Sequence, residues 1–267
     1  MHPLLRPLSV GELLDLTFAL YRRKFLLFVG IAAVTHGLMT VLQESAGVAF
    51  QKAGDVASTL LVIVGTIVGL IVYFISNAVS QAATTAAVSE MYLGRNVTIL
   101  ESFALLRGRI QSLTGLVFGV AVLTGLGFLL IIPGIYMTII WSLAVPAAVV
   151  ENLGFDAATN RSKDLVDGAW WRIILIMVLV FTLSMLVVIG VSFPVSYLSG
   201  DWEGETTLTP FWKIALKASE LLGEVLAAPF GLIAFTLTYY DQRVKKEGFD
   251  IQLMLEAEQA RAAAGPA

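Results

Sequence analysis

The stretch Ile173–Leu198, IILIMVLVFTLSMLVVIGVSFPVSYL, runs for twenty-six residues without one charged side chain. As an α-helix it would extend about 39 Å at 1.5 Å per residue, enough to cross a hydrocarbon core of about 30 Å. A membrane strand would instead alternate between two faces over about ten residues, and this run is continuously apolar. Five further stretches share its character: Phe25–Leu42, Val56–Val79, Leu113–Ile132, Ile135–Val150 and Leu221–Tyr240. The six contain no Lys, Arg or Asp and a single Glu, Glu224; His36 is the only other titratable intruder apart from tyrosines. The predicted fold is an all-α polytopic membrane bundle, six transmembrane helices forming one integral domain over residues 1–267, with 250–267 as a cytoplasmic tail.

Composition agrees with a lipid-facing chain. Of 267 residues, 57% are hydrophobic and 14% charged, against about 25% charged in soluble domains, and the mean hydropathy is +0.83. A soluble protein would need polar surface that this chain lacks. The absence of cysteine and a net charge of −3 exclude a disulfide-stapled module and a basic nucleic-acid binder.

The third and fourth stretches are joined only by Pro133-Gly134. One helix over Leu113–Val150 would be about 57 Å long, too long for one crossing. Pro-Gly ends helices, so a tight hairpin is predicted there; the competing reading is a re-entrant loop around Pro133. Of the 17 basic residues, 14 fall in the terminal segments and alternate connections that share one side when the N-terminus is cytoplasmic. Only Lys52, Lys213 and Lys217 fall on the other side. The positive-inside rule then places both termini in the cytoplasm of a bacterial-type inner membrane. Tyr21, Trp170, Trp171, Tyr239 and Tyr240 are read as marking the inner boundary, and Tyr197, Trp202 and Trp212 the outer one. A cleaved signal peptide is not expected, because 24 residues precede the first apolar run and no small-x-small site follows it.

A capped, amphipathic cytoplasmic helix is expected before each of three hairpins. Ser9-Val10-Gly11-Glu12 and Thr98-Ile99-Leu100-Glu101 are capping boxes, and Asp156 is the predicted cap of the third helix, closing at Gly168–Arg172. The first is apolar over most of its circumference and is expected to lie in the membrane interface. The second stretch has no Gly or Pro between Gly69 and Gly94, so one helix is expected to continue past the membrane through Gln81–Ala87, a small-residue packing surface. Gly65/Gly69, Gly115/Gly119 and Gly223/Ala227/Gly231 extend small-residue faces into the bilayer, read as intramolecular packing sites with self-association as the alternative.

Four segments are familiar together: Pro7–Asp15, Pro133–Tyr136, Trp141–Pro146 and Tyr239–Asp250, the last reading YYDQRVKKEGFD. The chain resembles, over roughly Pro7 to Leu255, the membrane domain of glycerophosphodiester phosphodiesterases and its stand-alone relatives. The resemblance implies architecture rather than chemistry. No His-Arg-Gly occurs, and the sole histidines are His2 and His36, so phosphodiesterase activity is not expected.

His36 and Glu224 are the candidate polar groups within the membrane, where such side chains are functional hypotheses by default. Structural packing is the competing role for His36. Thr209-Pro210 is a helix start, and Lys213, Lys217, Glu220 and Glu224 follow it at four- and three-residue spacing as one charged stripe. That stripe reads as a solvated face of paired charges or as the mouth of a polar cavity, with Glu224 binding a cation or proton and Pro229 kinking the sixth span beneath it. Arg22, Arg23 and Lys24, and again Arg243, Lys245 and Lys246, are candidate headgroup contacts or topology anchors. Gly248 is the expected end of the sixth helix, followed by a short tail helix capped by Asp250. No catalytic, metal or cofactor constellation is recognisable. The expected role is a structural or interaction module for lipids or membrane proteins, with the bilayer and a membrane-protein partner or a second copy as its contacts. The alternative is a transporter or channel for a small solute, ion or lipid, with a cavity near Glu224 and His36.

The orientation has a direct check in a chain without cysteine. An impermeant thiol reagent is expected to label Lys52→Cys and not Lys163→Cys in intact cells; labelling of Lys163→Cys from outside would reverse the topology.

Overall fold

The computed structural model describes residues 7–51, 56–200 and 208–248. Lys52, Trp202, Arg6 and the 250–267 tail with its Asp250 cap lie outside them. Within the described residues the chain forms ten helices and no strand: α1 (Val10–Arg23), α2 (Phe25–Gln51), α3 (Val56–Tyr92), α4 (Ile99–Ala104), α5 (Ile110–Phe128), α6 (Ile132–Ile140), α7 (Ala144–Glu151), α8 (Phe155–Val166), α9 (Trp170–Ser199) and α10 (Pro210–Glu247). Five stretches are long and apolar enough to cross a membrane: Val62–Tyr92, Ile110–Phe128, Ile132–Glu151, Trp170–Ser199 and Pro210–Glu247. Val10–Arg23 with Phe25–Val41 makes a sixth if counted together, bent by 83° at Lys24.

Both capping boxes form. Ser9 Oγ accepts from Glu12 N at 3.2 Å while Glu12 Oε2 accepts from Ser9 N at 2.8 Å. Thr98 and Glu101 repeat this at 3.3 and 2.7 Å. The third helix departs from expectation: Gly154, not Asp156, is the N-cap of α8, and Asp156 falls in its first turn. That helix also closes earlier than expected, at Val166.

The α5–α6 turn is displaced as well. It occupies 129–131, and Pro133 lies in the first turn of α6, where its missing N–H has no helical partner to lose. Gly134 is needed for closeness rather than for turning, since a Cβ there would sit 2.6 Å from Phe128 N. The reversal falls on Ile131, at φ 56° and ψ −65°, with Ile132 N donating to Leu130 O at 2.6 Å. Positive φ in a β-branched residue is strained, by about 1–3 kcal/mol.

Helix α10 is the centre of the molecule: 56% of its apolar window is buried, against 11% in α3 and in α5. It packs against α9, α2, α1 and α3, while α2 packs on α3 and α5 on α6. In lipid there is little hydrophobic drive between helices, so contact depends on small residues and interhelical hydrogen bonds. Accordingly Ala82, Ala83, Thr84, Thr85, Ala86 and Ala87 of α3 are all buried, as are Ala144, Ala147 and Ala148 of α7. Thr236 Oγ1 meets Thr85 Oγ1 at 3.3 Å and Tyr240 Oη meets Ser89 Oγ at 2.5 Å. Both contacts join residues 151 apart, so α3 and α10 run parallel in fixed register. Gly223 and Gly231 approach Val188 and Val180 of α9, and Gly119 approaches Phe155, whereas Gly65, Gly69 and Gly115 have open space around them. The intramolecular role expected for Gly65/Gly69 is therefore not realised among the described residues.

At one end of α10, charge is gathered inside the protein. Asp241 is 2% exposed and accepts from Leu8 N (2.7 Å), Arg172 Nη2 (2.7 Å) and Lys245 Nζ (2.9 Å). Arg172 and Lys245 also donate to Leu8 O. Beside this knot, Glu151 accepts from Tyr239 Oη at 2.6 Å and from Arg161 Nε at 2.8 Å. Arg161 also pairs with Glu247, whose hydrogen bond is the main reason that its guanidinium holds its proton even more tightly than usual. Lys246 donates to Asp164 O and Asp167 O at the end of α8, and Arg109 to Ala148 O and Val149 O at the end of α7. Cations thus satisfy the free carbonyls of helix C-termini. The same contacts commit Arg243, Lys245 and Lys246 to intramolecular partners: Arg243 Nε lies 3.1 Å from Glu247.

Breaking one partner of a buried charge cluster costs about 3–5 kcal/mol. Asp241→Ala is therefore expected to lower the unfolding midpoint in detergent by roughly 10 °C, while Arg95→Ala, which removes an exposed pair with Glu90, changes it little. Equal midpoints for the two variants would refute the central role of Asp241.

Candidate functional site

The candidate site begins with a stripe on α3. Tyr73, Ser76, Asn77, Ser80 and Gln81 recur at three- and four-residue spacing, so they share one face of an otherwise apolar helix. Opposite them, α2 presents Thr35, His36, Met39 and Thr40, α9 presents Ser184 and Val188, and α10 presents Glu224, Ala227, Ala228 and Leu232. These faces enclose a cavity of about 480 Å³. Among the described residues its wall carries one carboxylate, one imidazole, two carboxamides and several hydroxyls, and no Lys or Arg.

Glu224 Oε2 lies 3.4 Å from His36 Nδ1. The imidazole is about a quarter exposed and the carboxylate about half. Small neighbours on the cavity wall, Ala227 and Ala228, leave room beside the carboxylate. The hydroxyls of Thr35 and Thr40 return to carbonyls of their own helix, at Ile31, Ala32 and His36. They shape the wall without presenting a free donor. Gln81 Nε2 donates to Asn77 Oδ1, one helical turn away. By inventory this leaves Asn77's amide N–H groups and Gln81's carbonyl oxygen for a third partner.

A second cavity of about 620 Å³ adjoins the first. It lies among α3, α5, α6, α7, α9 and α10, and Tyr73, Asn77, Gln81 and Leu232 line both. Its other polar groups include Thr85, Thr124, Thr138 and Ser142; among the described residues no charged side chain lines it. The Thr124 hydroxyl is buried and has no hydrogen-bond partner.

No protein family, curated protein or solved structure matches the chain. Chemistry must therefore be read from the residues. Among the described residues, no three His, Asp or Glu side chains converge as a metal site would require. The structure joins His36 to Glu224 and separates Glu224 from the rest of its stripe. Glu220 pairs with Lys217 at 2.9 Å on an exposed face and does not line the cavity. Pro229 is buried within α10, which continues through it. Arg22 and Arg23 are exposed at the end of α1, and Lys24 occupies the bend.

Sequence reasoning missed Tyr73, Ser76, Asn77 and Ser80 as site residues, and read Gln81 only as packing. The available signal was their helical spacing within an apolar run, where polar groups rarely face lipid.

If water fills the first cavity, Ser80→Cys, at a position 5% exposed in the native structure, is expected to react with a small hydrophilic thiol reagent. Ile67→Cys, at an exposed apolar position, should resist it in bilayers. Equal labelling of the two, or none at Ser80→Cys, would count against an aqueous site.

Proposed function

We propose that this chain is a multi-pass transporter for a small organic cation, which binds between Glu224 and Tyr73 of α3. The observation that carries this reading is the His36–Glu224 contact on the wall of a cavity that, among the described residues, has no compensating Lys or Arg. A carboxylate facing neutral hydrogen-bonding groups attracts cations, and an anion would meet no positive partner there except a protonated His36. The volume falls in the range of small-molecule sites, about 300–1,000 Å³, and exceeds what a bare ion needs. Tyr73 offers a ring face that suits an ammonium group.

The topology we infer is six spans with both termini in the cytoplasm of an inner membrane. Its support is the one-sided distribution of basic residues, together with the contacts of α2 with α3, α5 with α6 and α9 with α10. On that reading α1 lies in the inner interface and the Glu224 cavity faces the outer half of the bilayer. One observation favours the re-entrant version of α5–α6: Tyr136, just past the turn, stacks on Trp170 at the start of α9, with ring centroids 5.2 Å apart. The scaffold reading for lipids or other membrane proteins draws its support from the small-residue packing of α3, α7 and α10. The resemblance to phosphodiesterase membrane domains bears on architecture alone.

Purified protein in liposomes is expected to take up tetramethylammonium saturably, and Glu224→Gln to reduce uptake at least tenfold. His36→Phe should weaken uptake by a smaller factor. If methylammonium, tetramethylammonium and tetraethylammonium all fail to move, or Glu224→Gln transports normally, the transporter reading falls.

A further inference from the structure

We infer that the Asn77–Gln81 pair, closed against Leu232, is a gate joining the two cavities into one passage. This inference rests on the transporter reading. Four residues, Tyr73, Asn77, Gln81 and Leu232, belong to both cavity walls and form the partition that the two cavities share.

The register of α3 against α10 orders the passage. With residues 151 apart at the same level, as Ser89–Tyr240 and Thr85–Thr236 show, Gln81 stands level with Leu232 and Tyr73 level with Glu224. The charged cavity covers Glu224 to Leu232 on α10, and the neutral cavity continues from Leu232 to Phe235. On α3 both cavities begin at Tyr73 and the neutral one reaches Thr85, so a solute moving from the Glu224 cavity into the neutral one crosses the shared wall of Tyr73, Asn77, Gln81 and Leu232. Beyond the neutral cavity the column is closed by the Tyr240–Ser89 hydrogen bond and by Tyr92 stacked on Tyr240 at 4.3 Å.

The chemistry of the pair suits a gate for cations. Carboxamide oxygens can replace part of a cation's hydration, as carbonyl rings do in selectivity filters. The Asn77–Gln81 bond lies within one helix, at i and i+4. It can open by side-chain rotation, on a much faster timescale than helix movement. Leu232 supplies the apolar side of the constriction. In the neutral cavity the unpartnered Thr124 hydroxyl, with Thr85 and Ser142, offers the next oxygen atoms.

The test uses full-length protein in liposomes with tetramethylammonium as the probe. Asn77→Leu and Gln81→Leu are expected to retain thermal stabilisation by the probe, because Glu224 is intact, while losing uptake at least tenfold. Leu232→Ala should raise uptake several-fold. Gln81→Cys, modified by a bulky thiol reagent only after reconstitution, avoids any folding defect and should lose uptake on modification. Uptake within twofold of wild type in modified Gln81→Cys protein, with Glu224→Gln still inactive, would overturn the gate while leaving the transporter reading intact. Absence of uptake by the unmodified wild-type chain would remove both.

Discussion

A carboxylate that is almost wholly removed from solvent must find several donors or give up its charge, and Asp241 finds three. Its partners come from the segment before α1, from the start of α9 and from the next turn of α10. Meeting that requirement sets the height of α10 relative to α9 and holds Leu8 against both. Because α10 is the element that the others surround, its height also decides which of its side chains faces α2. Glu224 meets His36 on the same helix that Asp241, more than four turns away, anchors in its knot. The same end of the molecule uses Arg109 and Lys246 to terminate α7 and α8, so the local basic charge is spent on helix carbonyls and buried carboxylates.

The interior is built as a membrane interior should be. Alanine and threonine line the α3–α7–α10 contact, where larger side chains would hold the helices apart, and hydroxyl pairs add interhelical bonds. Polar side chains that do not serve packing are concentrated on the α3 stripe and face the two cavities. This division gives the site a specific meaning: its polarity is additional to what holding the helices together requires.

Much of the architecture is legible from residues alone, because hydrophobic length and capping boxes are local or one-dimensional signals. The long α3 helix, the Ser9 and Thr98 caps and the start of α10 at Thr209-Pro210 all follow from such patterns. Pro133-Gly134 misleads because the pair has two uses, and here proline starts a helix while glycine admits Phe128. Gly154 displaces Asp156 as a cap for a similar reason, since several residues of that turn are acceptable at the position. The meeting of His36 with Glu224 depends on rotation and height of two helices distant in sequence, which periodicity does not encode. The α3 stripe was accessible at the level of spacing, but its significance needs the partner helices that wall off the space.

The parallel course of α3 and α10 has a consequence for biosynthesis. A hairpin connection brings neighbouring segments together as soon as they leave the ribosome, whereas a parallel pair must await later insertion. The spans that precede α10 therefore enter the bilayer with the Thr85 and Ser89 contacts of α3 and the Asp241 contact of Leu8 N still unmade. Among the described helices α10 is synthesised last, so it must slide into the middle of an assembly already present.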